Sequence, residues 1–186
     1  MGRFDEALVE IKRAQELDPL SLVINVSLTR AYLLKGDVNT CIEQTKKMIE
    51  LHPNYAPNHG FLGLAYIKQG RYNEALAEMQ KAVELERSSS SLAFLGYANA
   101  ISEKYLEANA IIRELEGRYD MREALGRDIA GVYVALGKND QAFAWLEKDF
   151  QIRSGDLSTI TWYPTFDSLR NDPRYADLLR RMNLLQ

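Results

Sequence analysis

Apolar residues recur along this chain at helical spacing, in blocks that repeat. Phe4, Ala7, Leu8, Ile11 and Ala14 fall on one face of a helix spanning residues 4–17, which Asp18-Pro19 brings to an end. A second helix is expected from Leu22 to about Lys35, and a third from Val38 to about Leu51, closed by His52-Pro53. Leu28 and Tyr32 return one block later as Leu62 and Tyr66. Towards the C-terminus, Asp172-Pro173 reads as an N-cap followed by a first-turn proline. It opens a helix that carries Tyr175, Leu178, Leu179 and Met182 on one face.

The blocks share their punctuation. Gly2-Arg3-Phe4-Asp5-Glu6-Ala7-Leu8 is followed by Gly36-Asp37-Val38 and then by Gly70-Arg71-Tyr72-Asn73-Glu74-Ala75-Leu76, at steps of 34 residues. Fainter echoes follow at Glu103-Lys104-Tyr105 and Gly137-Lys138-Asn139, at steps of 33 and 34. A period of this length marks a helical solenoid built from antiparallel helix pairs. The glycines stand where a helix C-terminus turns through the left-handed region; Glu103 takes that place in the fourth block and leaves the form of its turn open. Ala7, Cys41, Ala75, Ala108 and Ala142 occupy one register position that stays small, as a close helix crossing requires.

These landmarks resemble the tetratricopeptide repeat. The block beginning near residue 56 matches best, with Leu62, Gly63, Tyr66, Gly70, Tyr72, Ala75 and Ala82 in register. It departs at His59, where the family prefers Trp, and at Arg87, where it prefers Pro. The resemblance implies an all-α, right-handed superhelix with repeats at 22–55, 56–88, 89–122 (degenerate) and 123–154. Residues 1–21 would form the second helix of a truncated repeat, and 155–186 a capping segment. The phrase at Gly2 falls at an inter-helix turn, so the chain is expected to enter in mid-repeat. Ser88-Ser89-Ser90-Ser91 lies in register and reads as an inter-repeat turn with an N-cap rather than a linker. The tail, with Phe166-Asp167-Ser168-Leu169-Arg170-Asn171-Asp172-Pro173, is similar to the C-terminal module of bacterial multidomain signalling proteins. In those relatives the module follows a winged-helix, nucleotide-cyclase or Ser/Thr-kinase domain.

Composition narrows the function class. A net charge of −3 and a pI near 5.5 give no basic surface for nucleic acid. No run of about 18 apolar residues is present and no signal segment opens the chain, so a soluble protein is expected, with the cytoplasm slightly favoured. Cys41 is the single cysteine and His52 and His59 the only histidines, which excludes an intrachain disulfide and a Cys-rich zinc site. Phosphate-binding glycine loops, His-Glu-x-x-His and Gly-x-Ser-x-Gly are missing. The chain therefore reads as non-enzymatic, without cofactor or metal. Arg170, Arg174, Arg180 and Arg181 alternate with Asp167, Asp172 and Asp177 and read as a solvated capping helix.

By resemblance, ligand contacts concentrate on the first helix of each repeat, which lines a concave face. The implied groove comprises Val23, Val26, Arg30 and Leu33, then Leu64, Ile67 and Lys68, then Tyr97 and Ile101, then Arg127 and Val134. An apolar groove with three cations suits a protein or peptide partner that carries an acidic group. Val26 and Phe61 stand where a chaperone-tail carboxylate clamp would need Lys and Asn. A second expectation is homodimerisation through Phe4, Leu8 and Ile11 on the first helix.

Overall fold

The computed structural model describes residues 4–185, and the described residues are helical throughout, without strands. The helices are α1 (Phe4–Leu17), α2 (Leu22–Lys35), α3 (Val38–Leu51), α4 (Ala56–Lys68), α5 (Tyr72–Leu85), α6 (Ser89–Ile101), α7 (Tyr105–Asp120), α8 (Gly126–Ala135), α9 (Asn139–Gln151) and α10 (Pro173–Arg181). Two 3-10 segments, Gly155–Thr161 and Pro164–Leu169, separate α9 from α10. The turn expected at Gly2 lies outside the described residues. The chain divides into two compact units, residues 1–86 and 87–186.

In the first unit, consecutive helices pack as α1 on α2, α2 on α3, α3 on α4 and α4 on α5. Cys41 and Ala75 are fully buried at the small register position, whereas Ala7 is exposed, with no described helix crossing α1 there. Gly63 brings α4 and α5 together, since a Cβ at that residue would stand 2.7 Å from Met79 Cγ. In the second unit, α6 packs on α7 and α8, and α8 packs on α9 and on the 3-10 segment Pro164–Leu169. Ala130, Leu146, Leu157, Ile160, Phe166 and Leu169 are at most 2% exposed and form its core beside α10. The segment after α9 thus contributes core residues, burying about 1.5–3 kcal/mol of transfer free energy for each large side chain.

One turn recurs in both units. Gly36, Gly70 and Gly137 have φ of 80°, 74° and 70°. At Gly70, the amide donates to the Ile67 carbonyl at 2.9 Å and the next amide, of Arg71, reaches back to Tyr66 at 2.9 Å. This is the Schellman arrangement that satisfies the last helical carbonyls. Glu103 makes the same two bonds, from its own amide to Ala100 at 3.1 Å and from Lys104 to Asn99 at 2.8 Å, at φ 60°. The hydrogen bonds of the repeat therefore hold a glutamate in a glycine conformation. Ser88 and Asp172 cap α6 and α10 by accepting from the amides of Ser91 and Arg174.

Candidate functional site

The first helices distribute the expected groove residues unevenly. On α2, Val23 is 77% exposed and Val26 and Arg30 are half-buried, while Leu33 is 1% exposed and belongs to the core. On α4, Ile67 is half-buried and Lys68 exposed, while Leu64 is another core residue. Leu33 and Leu64 point between helices and are corrected from groove to core. In the first unit the accessible face of α2 and α4 is therefore Val23, Val26, Arg30, Ile67 and Lys68. Leu8, expected at a self-association surface, is 6% exposed and packs on Leu28 and Ala31 of α2, with Ile11 beside them. It is already covered by its own chain. The side chain of Phe4 lies outside the described residues.

In the second unit part of the corresponding face is covered. Tyr97 and Ile101 are half-buried, and Arg127 and Val134 are buried. Ser90, Ala93, Phe94, Arg127, Asp128 and Gly131 meet Tyr163, Thr165 and Phe166 around a cavity of about 20 Å³, room for about one water. The Phe94 and Tyr163 rings meet edge to face at 5.7 Å, and Phe166 comes within 3.8 Å of where a Gly131 Cβ would stand. Tyr163, Thr165 and Phe166 thus lie beside Arg127, one of the positions at which the repeat resemblance places a ligand.

Arg127 is engaged by this arrangement. Its guanidinium lies 3.7 Å from the Asp128 carboxylate, donates to the Thr159 hydroxyl and sits 5.4 Å from the centre of the Tyr163 ring. The expectation that Arg127 greets an acidic partner is corrected: its charge is compensated inside the unit. Ser89 donates to the other Asp128 oxygen at 2.5 Å. Burial pushes the Asp128 carboxyl above the usual carboxylate range, against the opposing pull of Arg127 and Ser89. Asp149, fully buried, accepts from the amides of Gly126 and Arg127 at 2.8 Å each and so caps α8 from a neighbouring helix. Burial raises its pKa as well, with the two amides and Arg127 acting in the opposite sense.

A different polar junction holds the first unit. Asn25, 1% exposed, receives hydrogen bonds from Gln15 at 2.6 Å and Gln44 at 2.7 Å and donates to the carbonyls of Pro19 and Ser21. One repeat later, His59 Nδ1 lies 2.7 Å from Glu78 and Nε2 lies 3.3 Å from the Pro53 carbonyl. Pro19, Asn25 and Gln44 become Pro53, His59 and Glu78, each at a step of 34. Sequence reasoning marked His59 as a departure from the family's Trp and missed its partner, although the matching step was there to read. Cys41 is buried and its thiol is pushed up to about 11, chiefly by desolvation, so it is no nucleophile at neutral pH. Among the described residues, no group of three His, Cys, Asp or Glu could hold a metal.

The helix pairing, the left-handed turns and the buried small residues now meet a direct comparison: residues 56–89 match the model of the tetratricopeptide repeat family. The fold is that of a tetratricopeptide-repeat protein. The chain is 29% identical over 89 residues to small glutamine-rich tetratricopeptide repeat-containing protein 2 of Mycosarcoma maydis, a match covering 48% of this chain and 25% of that protein. Over 87 residues it is 30% identical to superkiller complex protein 3 of Mus musculus, covering 46% of this chain and 5% of the relative. The matches thus span a quarter or less of these curated relatives. Among solved structures, a thermophilic tetratricopeptide-repeat protein of Thermus thermophilus superposes with a TM-score of 0.69 at 23% identity, over 96% of this chain and 92% of that one. MamA protein gives a TM-score of 0.53 at 21% identity, over 88% and 87%. These superpositions establish the shared fold. Tetratricopeptide repeats generally mediate protein–protein interaction, on a fold that is typically non-catalytic.

Proposed function

We propose that this repeat protein is a non-enzymatic scaffold that binds a protein or peptide through the α2–α4 face of its first unit. Val23, Val26 and Ile67 supply the apolar contact, and Arg30 and Lys68 are its cationic side chains. One observation supports this choice of face above the others: on α8 Arg127 is packed beside Tyr163, Thr165 and Phe166 and Val134 is buried, whereas on α2 Val23 remains 77% exposed. The partner that fits is an apolar segment with an acidic group, because a carboxylate beside Arg30 or Lys68 adds orientation to apolar burial.

Selection of a displayed peptide library on the intact chain tests the proposal. The expected consensus is apolar with at least one Asp or Glu. Val23→Asp and Arg30→Glu, introduced separately, should each weaken a selected peptide about tenfold while helicity by circular dichroism is kept. Retention of full affinity by both variants assigns binding to another surface.

A further inference from the structure

A second concave surface lies in the second unit, lined by none of the residues around Arg127. The end of α9, the start of the Gly155–Thr161 segment and the residues that follow α10 enclose an open cleft of about 770 Å³. That volume lies within the range of small-molecule sites, roughly 300–1,000 Å³. Its apolar lining is Phe150, Leu157, Met182 and Leu184. Leu184 is 46% exposed there, and Arg181 stacks its guanidinium 4.2 Å from the Phe150 ring centre.

The charged lining of the cleft is one-signed. Arg153 and Arg181 line it, and no Asp or Glu does. Arg181 is held by Glu147 at 2.6 Å and Asp177 at 3.5 Å, both outside the lining. Arg153 is exposed, and its guanidinium makes no hydrogen bond or ion pair with a described residue. The hydroxyl of Ser154, next in the chain, has no partner among the described residues either. An apolar wall beside an uncommitted guanidinium and a hydroxyl donor selects a ligand with an apolar body and one anionic end.

We infer that this cleft binds a small amphiphilic carboxylate, with the carboxylate at Arg153 and Ser154 and the apolar chain along Phe150, Leu157 and Leu184. The inference does not depend on the α2–α4 face, since every residue it uses lies between 147 and 184. Decanoate, below its micelle concentration, is the probe, and decanol is the neutral control of equal length. Titration calorimetry of the full chain should show decanoate binding about tenfold or more tightly than decanol. Arg153→Gln should remove that preference while leaving the melting curve unchanged, because the side chain is exposed and unpartnered. Leu184→Asp, which sets a carboxylate at the apolar wall, should weaken decanoate by a comparable factor. Amide shifts on binding should map to residues 150–158 and 181–184. Absence of binding, equal affinity for decanoate and decanol, or an Arg153→Gln variant that binds as the parent overturns the assignment. Shifts confined to α2 and α4 overturn it too, and would instead place the ligand on the proposed partner face.

Discussion

The two units solve the same packing problem with opposite chemistry, and the fourth residue of each repeat shows how. In the first unit that position holds Asn25 and His59, each a buried polar side chain tied to the following helix by Gln44 or Glu78. In the second unit it holds Leu92, at 1% exposure, and Gly126, whose absent side chain leaves room for the Asp149 carboxylate and the Trp145 carbonyl. The first unit places its polar groups at helix junctions and leaves its first-helix face accessible. The second buries acidic groups beside that face and covers part of it, around Arg127 and Gly131, with its own C-terminal segment. Repeats of one family can therefore differ in what they offer a partner through what fills the face, with the helices unchanged.

The comparison is most severely tested at the cover. Phe166 is 2% exposed in the core that joins the Pro164–Leu169 segment to α8 and α10. Phe166→Ala should cost the second unit about 3–5 kcal/mol. Both tryptophans, Trp145 and Trp162, lie in that unit, and the only cysteine, Cys41, lies in the first. Tryptophan fluorescence and Cys41 alkylation during denaturation thus read the units separately. The fluorescence midpoint should fall while Cys41 protection persists. Coincident loss of both signals would show a single cooperative block and end the description as two units.

The junctions come next in size. Gly126→Ala would bring a Cβ within 2.6 Å of the Trp145 carbonyl oxygen and 2.7 Å of the Asp149 carboxylate, so it should cost about 1–3 kcal/mol in the fluorescence transition. Asn25→Leu should cost a similar amount, about 1–3 kcal/mol, in Cys41 protection, since it strands two glutamine amides and two carbonyls that the asparagine serves. If Asn25→Leu proves neutral, the polar junction is dispensable and the contrast between the units reduces to the cover alone.

A smaller effect separates the units by pH. Asp128 faces Arg127, Ser89 and Asp149, and Asp149 faces Arg127, the two α8 amides and Asp156; burial raises both carboxyls. A carboxyl raised in the fold binds its proton more tightly there than in the unfolded chain. Its stabilisation is complete below the unfolded value of about 3.9 and is lost as pH rises through the native one. Lowering pH from neutrality towards that unfolded value should therefore stabilise the second unit. Glu114 and Asp172, lowered by Arg87 and Arg174, act in the opposite sense and reverse the trend at lower pH. Asp128→Asn should flatten the rise, with the fluorescence midpoint across pH as the readout.

Helix positions, the recurring turn and the small crossing residues were legible because each is local or periodic. Leu22–Lys35 and Val38–Leu51 follow directly from glycine, proline and apolar spacing. The site was less legible. Arg127 stands at a groove position in the register, and only the chain's return at Thr159 and Tyr163 takes it out of reach. That return is a long-range contact that a period cannot encode. Asp149 did leave a trace, since it occupies the register position of Met48, Ala82 and Leu115, where a carboxylate has no packing reason to stand. The partners of Asn25 and His59 left one too, in their shared step of 34.

The smallest predicted effect concerns the turn the units share. Glu103 and Gly70 occupy the same Schellman position, at φ 60° and 74°. A side chain in the left-handed region costs about 1–2 kcal/mol, and glycine offsets about 0.4–1 kcal/mol of that relief through the entropy of the unfolded chain. Glu103→Gly should therefore stabilise the second unit by roughly 0.5–1 kcal/mol. Gly70→Glu, the reciprocal change, should destabilise the first by a similar amount, with open space around the position to rule out a clash. The two midpoints, from tryptophan fluorescence and Cys41 alkylation, should move in opposite directions. Equal and opposite shifts mean that the turn is one device used twice. A Glu103→Gly variant that loses stability would show that the Glu103 side chain stabilises its turn through contacts, and that the fourth repeat's turn has diverged from the rest.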